Sequence, residues 1–115
     1  MIQKTIRDYL VAELATVPCY MEQPKNAPSE WVLIELADFG ITNHVCAATL
    51  FVRCSAQSMY GAAALSESVK ELMLKAPELD DISSVKIGGE RSGIDTTNHI
   101  YTYDLTFNLY YFEEG

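Results

Sequence analysis

The sequence offers few side chains of the kinds that catalyse or bind metal. Two histidines, His44 and His99, and three cysteines, Cys19, Cys46 and Cys54, are its whole stock of those types. His44 and Cys46 stand two apart, so on a strand both would point to one face. Zinc takes three or four such ligands, and no further Cys or His spacing completes a set. Nothing along the chain brings His99 to a thiol as a nucleophile–base pair. Cys46 and Cys54 fall in one apparent strand, about 26 Å apart at about 3.3 Å per residue, far beyond disulfide reach. Without a CxxC pair, the thiols read as small buried apolar groups in a reducing compartment. The carboxylate pairs Asp80–Asp81 and Glu113–Glu114 lie in loop and tail contexts, with no apolar setting to raise a pKa for acid catalysis. Gly88, Gly89 and Gly93 form no GxGxxG and open no helix, so a phosphate cradle is not expected. The sequence therefore predicts no catalytic residue, no metal site and no cofactor.

The elements that would carry these residues belong to one domain, 1–115, since 115 residues leave little room for a second. With 49% hydrophobic and 21% charged residues, the chain falls in the globular class. Eight basic against sixteen acidic residues give a net charge of −8, the wrong sign for gripping phosphate backbones or anionic lipid. The negative charge gathers in the second half: −2 over 1–57 (four basic, six acidic) and −6 over 58–115 (four basic, ten acidic). No apolar run approaches the ~20 residues that span a bilayer, and MIQKTIRDYLVAEL lacks the unbroken apolar core of a signal peptide. These features predict a protein made and kept in a cytoplasm.

Periodicity predicts a helix over 3–16, with Ile6, Tyr9, Leu10, Leu14 and Val17 on one stripe, Thr5 and Asp8 as a capping box, and Pro18 ending it. A short strand at 19–23 and a proline-bearing loop at 23–30 follow. Strands at 31–39 and 44–54, joined by a turn at 40–43, should form an antiparallel hairpin. A second helix spans 57–76, burying Leu65, Val69, Leu72, Met73 and Ala76, and stops at Pro77. Glu71 and Lys75 would pair on its solvent face. An acidic loop at 77–83 leads to a strand at 84–91. The stretch 88–98 mixes glycines with turn formers and reads as a hairpin loop or mobile tip, with Gly88, Gly89, Arg91, Ser92, Gly93 and Asp95 as a flexible assembly loop. The closing strand, 99–112, alternates Tyr101, Tyr103, Leu105, Phe107, Leu109 and Tyr111 with Thr102, Asp104, Thr106 and Asn108. No Lys or Arg interleaves these aromatics, which argues against a base-stacking platform.

The order α-β-β-β-α-β-β predicts an α+β fold: a mostly antiparallel sheet of four to five strands with both helices on one face. Strict alternation would put Trp31, Leu33, Ala37 and Phe39 opposite Val32, Ile34 and Leu36. Two helices cover one face only, so the other would expose apolar area, a common mark of an interface. Trp31, Leu33 and Phe39, with the polar Thr102, Asp104 and Thr106, are the candidate oligomer interface.

Three stretches resemble one family. They are VPCYMEQPKNAPSEWVLIEL (17–36), NHVCAATLFVRCSAQSMYGAAALSESVKELM (43–73) and DDISSVKIGGERSGIDTTNHIYTYDLTFNLYYF (80–112). In this order they are similar to the tail terminator, or tail completion, proteins of long-tailed phages and prophages of Gram-positive bacteria. The resemblance implies an architectural role: a ring, often a hexamer, at the head-proximal end of the tail tube. Such a ring ends tube polymerisation and docks the head connector, while DNA passes through its lumen without specific binding. Its partners would be other copies of itself, the tube protein and the head-closure protein, with no membrane. Neighbouring head–tail joining proteins share the same small α+β look. Outside this resemblance, the residues alone also fit a small ligand- or peptide-binding regulatory module, or an enzyme subunit.

Overall fold

In the computed structural model of the chain, residues 2–22, 25, 28–42, 45–78, 82–96 and 98–112 are described. The first helix, α1 (Ile2–Leu14), buries Ile2, Ile6 and Leu10. It starts before Thr5, which is therefore not its cap. It ends before Pro18, at Ala15, whose φ of 57° is left-handed and breaks the helical run. β1 (Cys19–Tyr20) is a two-residue strand. β2 (Glu30–Thr42) and β3 (Val45–Ala56) are longer than their apolar cores suggest, and Gly40 lies within β2 rather than in a turn. α2 (Met59–Lys75) is capped by Ser58, whose Oγ accepts from the Gly61 N–H at 2.9 Å. A single 3₁₀ turn at Ala76–Glu78 then takes the chain past Pro77. β4 (Ile82–Asp95) and β5 (Ile100–Phe112) close the fold.

The five strands form one sheet in the order β1-β2-β3-β5-β4, antiparallel except for the short β1–β2 pair. This is the α+β arrangement expected. The core lies between the sheet and both helices: Val32, Ile34, Leu50, Val52, Leu105 and Phe107 are sealed against Ile6, Leu10, Val69 and Met73. The Tyr9 hydroxyl donates to the Leu72 carbonyl at 2.8 Å and ties α1 to α2. On α2 it is Lys70 that pairs, to Glu67 at 2.6 Å and to Glu90 of β4 at 3.0 Å. The expected Glu71–Lys75 pair is not among the ion pairs of the described residues.

One segment differs in kind from its expectation. Residues 88–95 are not a loop. They continue β4 against β5, pairing Gly89 with Thr106, Arg91 with Asp104, Ser92 with Tyr103 and Gly93 with Thr102. The long regular partner β5 overrides the weak strand propensity of the glycines, and its side chains lie close over two of them, Asn108 over Gly88 and Thr102 over Gly93.

Candidate functional site

Register decides which residues share the face away from the helices. Across the sheet, one row on that open face runs Leu33, Arg53, Asp104, Arg91, and the next runs Glu35, Phe51, Thr106, Gly89. Arg53 forks onto Asp104, with Nε at 2.8 Å from Oδ1 and Nη2 at 3.2 Å from Oδ2. That hydrogen bond, with Asp104 and Glu35 as nearby charges, holds the guanidinium above its ordinary range against the opposing effect of burial. The pair stays partly open to water, so it adds at most about 1 kcal/mol. Thr49 Oγ1 donates to Asn108 Oδ1 at 2.9 Å on the same face. The sheet curves over these rows into a groove of about 460 Å³, with the half-exposed Phe51 in its floor.

Of the candidate interface, Thr102, Asp104 and Thr106 stand on this open face, each half-buried. Trp31 and Leu33 share the face but are not exposed: each is 4% accessible, and Tyr20 of β1 stacks edge-on against the Trp31 ring at 6.4 Å. The expectation that these two form a bare apolar patch is therefore corrected. β1 puts an aromatic on this face, and the approach through Pro28 and Ser29 borders Trp31. Beside them, Ser55 is fully buried, and its hydroxyl has no hydrogen-bond partner among the described residues.

Phe39 is on the other face. A β-bulge between Leu36 and Asp38 takes Ala37 out of the alternation, so Asp38 pairs Thr49 on the open face and Phe39 pairs Ala48 on the helix face. Its ring stands 6.5 Å from that of Tyr111. Strands of 12–14 residues reach about 40 Å, whereas the 17-residue α2 covers about 25 Å, so the far end of β2 outruns the helices. Leu36, Phe39 and Ile41 are left 40–57% exposed there. Sequence reasoning missed this strip because a bulge leaves no mark on the residue pattern.

Gly88, Gly89, Arg91, Ser92, Gly93 and Asp95, the expected assembly loop, lie instead along the edge strand β4. Gly88 sits in a second bulge, where a Cβ would come within 2.8 Å of Asn108 Nδ2.

The groups that could do chemistry are dispersed. Burial pushes the Cys19 thiol up to about 11 despite the opposing charge of Arg7, and pushes the Cys54 thiol still further. Neither is a thiolate near neutral pH, the form a nucleophile needs. His99 is exposed, with a left-handed φ of 52°. His44, Asp80, Asp81, Glu113 and Glu114 lie outside the described residues. Among those described, no three His, Cys, Asp or Glu side chains cluster to hold a metal, and no helix is long and apolar enough to cross a membrane.

What this geometry defines is an α+β unit with one helix-covered face, one grooved face and two open sheet edges. No family model matches the chain, and no curated protein matches it. Among solved structures, a chain of the virion of a native gene transfer agent particle is similar. Its TM-score is 0.67 at 12% identity, over 97% of this chain and 95% of that one. The likeness is one of fold.

Proposed function

We propose that the protein is a structural subunit of a phage-like virion, and more finely a tail terminator. It forms a ring, a hexamer in the form the family resemblance implies, at the head-proximal end of the tail tube. The ring stops tube growth and joins the tail to the head-closure protein. The observation that carries this reading is the fold likeness to a gene transfer agent virion chain over nearly the whole of both chains. The family resemblance of residues 17–36, 43–73 and 80–112 supports it independently, since it rests on sequence. The net charge of −8 suits a protein that DNA slides past, because like charges repel in a narrow passage. In this reading the role is architectural rather than catalytic. The protein resides in the virion neck, and in the host cytoplasm during assembly. It passes DNA without specific contacts and needs no cofactor or membrane.

The test is deletion of the gene from the phage or prophage that carries it, with electron microscopy of the resulting lysate. Filled heads separate from tails of irregular length are expected, and the gene supplied in trans should restore joined particles. Normal particles in the deletion strain would overturn the assignment.

A further inference from the structure

The sheet has two open edges. β1 pairs β2 only through Cys19–Val32 and Tyr20–Leu33, so beyond Leu33 no strand of the described chain covers that side. β4 is the opposite edge, and no strand of the described residues pairs along its outer side. Long open edges are hazards unless guarded or used.

The two edges match each other. The rows crossing the sheet set the level of each residue: Leu36, Leu50, Phe107 and Ile87 make one row, and Phe39, Ala48, Leu109 and Val85 another. Both rows lie on the helix face. On the open face, Asp38, Thr49, Asn108 and Lys86 make the row between them. If β4 of one copy is laid beside β2 of the next at the same level, apolar meets apolar on one face, Leu36 against Ile87 and Phe39 against Val85. Acid meets base on the other, Asp38 against Lys86. Glu35 then lies diagonal to Arg91, within reach of a long side chain. Among the described residues, Lys86 and Arg91 form no ion pair within the chain. Sliding to the next open-face position either way sets Asp38 against Ser84 or Gly89 and loses the charge pair. Of the three register shifts, two fall at neighbouring levels, at Ala37 on β2 and Gly88 on β4, and the third lies at the start of β4, between Ile82 and Ser84. Strand direction agrees as well: β2 and β5 run one way and β3 and β4 the other, so β4 meets the next copy's β2 antiparallel.

We infer that copies of this chain join edge to edge, β4 of one onto β2 (35–42) of the next, past Ile34, whose carbonyl already accepts from Gln3 of α1, in a sheet continuous across subunits. The contact is head-to-tail, so it closes into a ring where the rotation per copy allows. This rests on the ring reading above and adds which surfaces meet and in what register.

The test uses the full chain with Leu36→Cys, Ile87→Cys, and both together, oxidised at concentrations where the unmodified chain is seen by electron microscopy to form rings. Directly opposite residues sit within disulfide reach. The double variant should give a ladder of covalent multimers, and each single variant none beyond background. Two exposed-site variants guard against misfolding of the cysteine pair. Asp38→Lys and Lys86→Asp should each weaken association by about threefold to tenfold, and the combined swap should restore it. Rings from the unmodified chain without a ladder in the double variant overturn the edge pairing and leave the ring reading standing. Dimers from Leu36→Cys alone overturn it too, since they mean β2 meets β2. A chain that stays monomeric alone and on tail tubes overturns the ring reading and this inference with it.

Discussion

Cys54 is wholly buried on β3, and Cys19 is 3% accessible on β1. Desolvation raises both thiols, Cys19 from 9.0 to about 11. A thiol whose folded pKa exceeds its unfolded value holds its proton better when folded. Its contribution is therefore fully present below about pH 9 and is lost as pH rises through the folded value. Urea midpoints should fall between pH 9 and 11, and fall less steeply in Cys19→Ala, the difference reaching on the order of 1–3 kcal/mol by pH 11. Parallel curves for the two proteins would refute the burial account of this thiol. The cysteines' small apolar role was legible from type and spacing. The burial of Trp31 was not: alternation gives the face a residue points to, but a two-residue strand such as β1, which sets Tyr20 against it, carries almost no sequence signal.

At the scale of elements, apolar periodicity located both helices and the four long strands but missed three register shifts, one in β2 and two in β4. Ala37 is the residue that strict alternation cannot see. With it counted, Phe39 falls on the Trp31 face; with it set aside, Phe39 pairs Ala48 and faces Tyr111. A consequence follows for deletion. Removing Ala37 leaves Leu36 opposite Leu50 and Asp38 opposite Thr49, so every other pair keeps its partner and face. The shortened chain should unfold cooperatively within about 1 kcal/mol of the parent by urea titration. It should also retain nuclear Overhauser contacts between the Phe39 and Tyr111 rings. Without the bulge, Ala37 would hold a regular ladder position, and its deletion would slip one flank of β2 by a residue and turn that flank's side chains to the opposite face, so a large loss would contradict the register. The glycines of β4 misled for a related reason. Composition alone marks Gly88, Gly89 and Gly93 as turn formers, and only the 13-residue β5 beside them makes a strand there.

The whole molecule is elongated, 46 × 25 × 24 Å, and carries −8. In any ring, most charges on neighbouring copies lie tens of ångströms apart, while charges facing each other across paired edges lie within a few. The two respond differently to salt. The screening length is about 30 Å at 0.01 M and about 8 Å at 0.15 M, so added salt removes the long-range repulsion between acidic copies and leaves close contacts less affected. Apolar contact and backbone pairing hardly depend on salt in this range. Self-association should therefore strengthen as salt rises from 0.01 to 0.15 M. Sedimentation velocity at fixed protein concentration checks this, with the average sedimentation coefficient expected to increase across the series. Asp38→Lys should shift the whole series to weaker association without reversing its direction. A coefficient that falls with salt would mean that attraction between facing charges outweighs the repulsion of the whole chain. The net charge would then be a poor guide to how the copies meet.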